Sequence, residues 1–217
     1  MENIFDRFDT FFFDLDGVLI NTEPLYFRFW KEACLFYGHK MSDEEALNMR
    51  SLDPILGQEF FDSMNKNLNY KIVREKRKEL MYRYLDEHPI ELKEGAIELL
   101  TYLKNSNKKV YIVTANKKEK AIRILKEVGL IDFVSDVISA KDAERGKPFP
   151  YVYLDACKIV NKDPKDVIVF EDSPNGLRSS HGAGCFTVMV EDMSPYTKDM
   201  DYVDLVIHSL NELLERT

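Results

Sequence analysis

This chain predicts an α/β fold, a parallel sheet with helices on both faces. Three observations carry that expectation. Short apolar runs alternate with helical periodicity through most of the 217 residues. Three of the runs end in polar residues suited to holding a charged ligand. One stretch, from about Thr22 to His88, breaks the alternation with helical patterns and no convincing strand.

The first strand is Thr10–Asp14. Strand side chains alternate faces, so Asp14 and Asp16 would point the same way. Two like charges that close repel unless a cation or phosphoryl chemistry uses them. Gly17 then permits a sharp turn. In the interruption, Pro24 to Tyr37 reads as a helix, with proline at its first position and Tyr26, Trp30, Ala33 and Tyr37 on one face; Gly38 stops it. Ile72 to Leu85 repeats the pattern. Its basic residues, Lys71, Arg74, Lys76, Arg77, Lys78 and Arg83, read as a solvated face. Pro89 closes the segment, which is a helical module inserted after the first strand.

The alternation then resumes. Helical patterns at Ala96–Asn105, Lys117–Val128, Tyr151–Val160 and Pro174–Ala183 separate strands at Lys109–Thr114, Val134–Ser139, Val167–Glu171, Cys185–Val190 and Val203–Ile207. Gly129 follows the second of these helices as its left-handed stop. Ser173-Pro174 reads as N-cap and first helical residue. There are no internal repeats and no low-complexity tract.

Composition excludes several classes. With 45% hydrophobic and 31% charged residues the chain is ordinary globular protein. A net charge of −8 argues against general nucleic-acid binding, which needs a basic face. Cys34, Cys157 and Cys185 are widely spaced, so neither a disulfide framework nor a zinc site is expected, and a reducing cytoplasm fits. No apolar run approaches the ~20 residues of a membrane span, and the N-terminus lacks a signal-peptide pattern. No obligate protein partner is indicated.

Three strand ends would meet at one sheet edge: Asp14 and Asp16, Thr114, and Glu171 with Asp172. Ligands of open parallel sheets bind beyond the carboxyl ends of the strands. Lys147, in Arg145-Gly146-Lys147-Pro148, lies in a loop able to reach the same edge. The motifs Asp14-Leu15-Asp16-Gly17-Val18 through Pro24, Val113-Thr114-Ala115-Asn116, Gly146-Lys147-Pro148 and Glu171-Asp172-Ser173-Pro174-Asn175-Gly176 stand in an order and spacing that resemble the haloacid dehalogenase superfamily. The resemblance is to its phosphatase and β-phosphoglucomutase-like branch and covers nearly the whole chain. It implies a Rossmann-like core of residues 1–21 and 89–217, with a small all-helical cap at 22–88.

It also implies a Mg²⁺-dependent phosphatase acting on a small phosphorylated metabolite, most plausibly a sugar phosphate, through an aspartyl-phosphate. Asp14 would be the nucleophile and Asp16 the acid, then the base. Thr114, with the main chain of Ala115 and Asn116, and Lys147 would hold the phosphoryl group. The implied metal ligands are the Asp14 carboxylate, the Asp16 carbonyl and Asp172. Glu171 either ligates directly or orients a metal-bound water. Some alternatives stay open. Thr114 could instead cap the next helix, a part for which Asn116 competes. Arg50 is either a substrate contact or an exposed helix-end residue, and Tyr26 and Trp30 either line the cleft or fill the core. The mutases carry a histidine where Tyr26 stands and a cap arginine in a glycine-containing motif near Pro54; neither matches, which weighs against the mutase alternative. Asp16 argues against dehalogenation.

Overall fold

Phe11, Phe12 and Phe13 are all fully buried, so the strand that carries them must be covered on both faces. The structure is a computed structural model and describes residues 3–65, 67–140 and 143–215. The chain begins with α1 (Ile4–Arg7) and β1 (Thr10–Phe13). Four helices follow: α2 (Glu23–Phe36), α3 (Asp43–Asn48), α4 (Pro54–Met64) and α5 (Tyr70–Leu85). The alternating part comprises α6 (Ala96–Asn105), β2 (Lys109–Thr114), α7 (Lys118–Glu127), β3 (Asp136–Ser139), α8 (Tyr151–Val160), β4 (Val167–Glu171), α9 (Pro174–Ala183), β5 (Phe186–Val190), β6 (Leu205–Ile207) and α10 (Asn211–Leu214).

Among the described residues the sheet has six strands in the order β3-β2-β1-β4-β5-β6. Every pairing is parallel. The pleat sends Phe11 and Phe13 to one face, where they pack with Leu99 and Leu103 of α6, Leu125 of α7 and Leu213 of α10. Phe12 goes to the other face, with Val152 and Tyr153 of α8 and Ala183 of α9. Each buried phenylalanine contributes about 1.5–3 kcal/mol. This is the expected Rossmann-like layering.

Register positions the functional edge. Phe13 pairs with Ile112 on one side and Phe170 on the other. The Asp14 N–H then donates to the Phe170 carbonyl at 3.0 Å. The carboxyl ends of β1, β2 and β4 are therefore level. After β3 the chain crosses β1 to begin β4 on its far side, and such a switch leaves a crevice at that edge.

Local signals behave as the sequence indicates. Ser173 caps α9, its Oγ accepting from the Gly176 N–H at 3.0 Å. Gly38 and Gly129 terminate their helices at φ +81° and +76°. Some details differ. β1 ends at Phe13, so Asp14 lies just past the strand, and Pro24 is the second residue of α2, not the first. The sequence reading missed α1, α3, α4 and α10. α1, α3 and α10 have four to six residues, too short for a periodic apolar stripe.

The helices α2 to α5 bury their own apolar cluster, and no strand is present among the described residues of 22–88. Trp30, Phe61 and Tyr70 interlock with ring centroids 5.5–5.8 Å apart. Trp30 is thus a core residue, which settles its two readings. One reading is overturned. Arg77 is not on a solvated face: it shares the inward stripe of α5 with Val73 and Met81, and its Nε is buried.

Asp53 joins this insert to the sheet layer. Its carboxylate caps α4, accepting from Ile55 N–H at 2.9 Å. It also accepts from Gly146 N–H at 2.9 Å and pairs with Arg145 at 3.2 Å. Burial would raise the Asp53 pKa, but these donors outweigh it and hold the carboxyl below its ordinary 3.8. A depressed folded-state pKa gives stability that is complete above the unfolded value and lost as pH falls through the folded one. Asp53→Ala is therefore expected to cost about 2–4 kcal/mol at pH 7, combining cap and charged hydrogen bonds. The gap to wild type should narrow as pH drops below 3.8. Urea unfolding at stepped pH measures it; a gap independent of pH would contradict this account.

Candidate active site

Asp14 leaves β1 at the level edge with only 4% of its surface exposed. Glu171, the last residue of β4, and Asp172 just beyond it are equally enclosed. Because β4 has ended, these neighbours are not forced to opposite faces. Ligand oxygens of Asp14, Glu171 and Asp172 all lie within 4.8 Å of one another.

Two glycines make this approach possible. At Gly17, with φ +80°, a Cβ would fall on the Asp172 carboxylate. At Gly176 a Cβ would fall on the Glu171 carboxylate. Neither position tolerates a side chain while the acids stay where they are.

Two cations answer the three acids. Lys147 is buried, not a solvated loop residue, and its Nζ stands 3.2 Å from Asp14 Oδ2 and against Glu171 Oε1. It precedes a cis peptide bond to Pro148. Arg50 is also buried, not an exposed helix-end arginine. Its guanidinium lies on Asp172, donates to Glu23 Oε2 at 2.7 Å and reaches Ser194 Oγ at 2.8 Å. Tyr153 completes the Glu171 environment, its hydroxyl donating at 2.6 Å.

The electrostatic balance stays short of positive charge. Burial pushes the Asp14 carboxyl up to about 8 despite the pull of Lys147. Burial likewise raises Asp172 well above its ordinary range, with Arg50 opposing, and raises Glu23. For Lys147, burial lowers the pKa, but Asp14 and Glu171 outweigh it and the ammonium is held charged. Clustered hard oxygens with surplus negative charge suit a divalent cation such as Mg²⁺.

Asp16 and Thr114 stand in the same crevice. Asp16 Oδ1 accepts from Thr22 at 2.6 Å and Oδ2 from Asn116 Nδ2 at 2.7 Å. Its carboxylate is outside the acidic triad. Thr114 Oγ1 accepts from the Asn116 N–H at 3.1 Å. Neither Thr114 nor Asn116 caps α7, whose N-cap is Lys117. Ala115 is exposed between them. The structure thus assembles Asp14, Asp16, Thr114, Asn116, Lys147, Glu171, Asp172 and Arg50. The sequence reading missed Tyr153, which carries no local signal, and Glu23, which stands beside Pro24 in the first motif.

A family model for haloacid dehalogenase-like hydrolases matches residues 8–184. The chain belongs to this family. A phosphorylated carbohydrates phosphatase of Thermotoga maritima is 28% identical over 92% of this chain and 86% of its own length. A β-phosphoglucomutase of Bacillus subtilis is also 28% identical, over 93% of this chain and 89% of its own. In structure, a hydrolase from Pseudomonas syringae has a similar fold, with TM-score 0.82, 22% identity and coverage of 95% of this chain and 96% of that one.

Removing one partner of a buried ion pair strands the other charge. Lys147→Met should therefore lower stability by about 3–5 kcal/mol, since Asp14 and Glu171 lose their shared cation. The exposed pair Lys158–Asp155 is the control, and Lys158→Ala should change stability by less than about 0.5 kcal/mol. Denaturant unfolding of both variants checks the contrast; equal effects would sink it.

Proposed function

We propose that this protein is a Mg²⁺-dependent phosphatase of a small phosphorylated metabolite, with a sugar phosphate the favoured class. The carrying observation is the buried Asp14 carboxylate, flanked by a fixed cation and two further acids at the sheet edge. The phosphatase relative supports the reaction class. We take residues 22–88 as a cap over a core of 1–21 and 89–217, operating in the cytoplasm without nucleic acid, membrane or obligate protein partner. No helix among the described residues is long and apolar enough to cross a membrane.

Asp14 attacks phosphorus, forming an acyl-phosphate bond as the ester P–O bond breaks. Asp16 gives its proton to the departing oxygen, then takes one from water as that water attacks the phosphorus. Inorganic phosphate leaves and the Asp14 carboxylate returns. Lys147, the Thr114 hydroxyl and the N–H groups of Ala115 and Asn116 hold the phosphoryl oxygens, where transition-state charge accumulates. Arg50, from the cap, lies on Asp172 and Glu23 and positions the acids beside that group. When bound, Mg²⁺ would be held by the carboxylates of Asp14 and Asp172 and the Asp16 carbonyl, with Glu171 as ligand or holding a water, and would offset charge between the acids and the phosphoryl group.

Phosphate release from sugar phosphates, phosphoglycolate and nucleoside monophosphates tests the proposal. Wild type with Mg²⁺ should release phosphate; chelator or Asp14→Asn should reduce release at least about a thousandfold, the scale of losing a nucleophile. Release unchanged in Asp14→Asn sinks the mechanism. Conversion of glucose 1-phosphate to glucose 6-phosphate with a bisphosphate primer, and no free phosphate, would make the enzyme a mutase instead.

A further inference from the structure

Glu171 is the acid of the triad whose acceptor sites are already taken. Its carboxylate is fully buried at the end of β4. The Tyr153 hydroxyl donates to Oε1 at 2.6 Å, and the Lys147 ammonium lies against the same oxygen. The Asp172 N–H and the Ser173 hydroxyl each donate to Oε2 at 3.3 Å. A carboxylate offers about four lone-pair sites on its two oxygens, and four groups of the chain meet this one. Gly176 closes a further side, since a Cβ there would fall on the same oxygens. The ion pairs of Asp14 and Asp172 differ, each using one oxygen, Oδ2.

Tyr153 is the donor that fixes this pose. It stands in the first turn of α8, wholly buried, in the apolar cluster of Phe12, Val169 and Ala183. A ring packed at that density has one place to go, so its hydroxyl is held at one point. At neutral pH a tyrosine hydroxyl keeps its proton and donates. The same ring faces Lys147, with Nζ 5.7 Å from its centroid. Lys147 in turn reaches Asp14 Oδ2 at 3.2 Å. The ammonium therefore stands between two acids: Asp14 on one side, and on the other Glu171, which Tyr153 holds in place. Removing the hydroxyl opens an acceptor site on Oε1 and loosens the acid that anchors the ammonium.

We propose that Tyr153 is a positioning residue, whose hydroxyl fixes Glu171 as the anchor of Lys147 and keeps Glu171 out of the metal's coordination sphere. The inference rests on the phosphatase reading above and deepens it, because it gives Glu171 a part other than ligand or holder of a metal-bound water. The ion is then left to the carboxylates of Asp14 and Asp172 and the Asp16 carbonyl, which suffice for a cation that keeps several waters. Tyr153 acts through Glu171 on Lys147, the cation assigned to the phosphoryl oxygens, where transition-state charge accumulates.

Tyr153→Phe tests this, since it removes the hydroxyl and keeps the ring. Calorimetric titration measures the affinity of the variant for Mg²⁺ alone, and for orthovanadate at saturating Mg²⁺. Steady-state hydrolysis of a monoester gives kcat. Mg²⁺ affinity should stay within about twofold, because no ligand is disturbed. Orthovanadate should bind at least about fivefold more weakly and kcat should fall at least about tenfold, because Lys147 is held less firmly. Support of a residue that does ligate a metal is worth about 10–100-fold in metal affinity. A loss of that size in Tyr153→Phe, with kcat restored by excess Mg²⁺, would put Glu171 on the metal and overturn the inference. Unchanged orthovanadate affinity and kcat would overturn it as well. Thr187→Val is the control: it removes another buried hydroxyl, bonded to Ser180 at 2.8 Å, and should leave all three quantities nearly unchanged. Equal losses in both variants, with thermal unfolding showing them folded, would reduce the effect to general loosening and sink the assignment. If wild type hydrolyses no monoester, the phosphatase reading fails instead, and the two titrations still decide the part played by Tyr153.

Discussion

Burying three carboxylates together is the constraint on which the rest of this structure depends. Asp14, Glu171 and Asp172 meet at one sheet edge because β1 and β4 are paired neighbours that end level. Each would resist the low-dielectric site alone, and together they repel. The fold answers with Lys147 from the loop before α8 and Arg50 from the helical insert. The two cations come from opposite sides of the crevice. Packing of the insert against the core thus supplies one of the two cations that neutralise the acids.

The insert meets the core through a short stretch between α3 and α4. Arg50 reaches Asp172, its carbonyl accepts from Asn175 at 2.9 Å, and Asp53 grips the loop that carries Lys147. Ser51 between them adopts φ +51°, a left-handed conformation that costs a residue with a Cβ about 1–2 kcal/mol. The neighbouring contacts offset that cost. The same stretch contacts both the Lys147 loop and, through Arg50, the acids at the sheet edge.

This arrangement divides the work. Strand ends and the loop before α8 bring together acids, a lysine and a hydroxyl. The insert supplies Arg50 to these acids and keeps Trp30, Phe61 and Tyr70 in a core of its own. Relatives bearing phosphatase and mutase names are equally identical to this chain, at 28%. Tyr26 stacks against Arg77 between α2 and α5.

The alternation of strands and helices, the parallel sheet and the polar strand ends were legible in the chain, because each is written locally. Ser173-Pro174 declares a helix start and Gly17 a turn. The charge relations were not legible, because their partners are remote: Arg50 and Asp172 are 122 residues apart, and Asp53 and Arg145 are 92 apart. Arg77 was misread for a related reason. In a run of basic residues, a one-residue step turns a helical side chain by about 100°, and only the packing of α5 on α2 decides which one faces inward. Sequence by itself determined the elements and the kinds of group at the sheet edge, since these follow from local periodicity. Tertiary structure alone decided which cations neutralise which acids, because burial and distance between remote segments set those pairings.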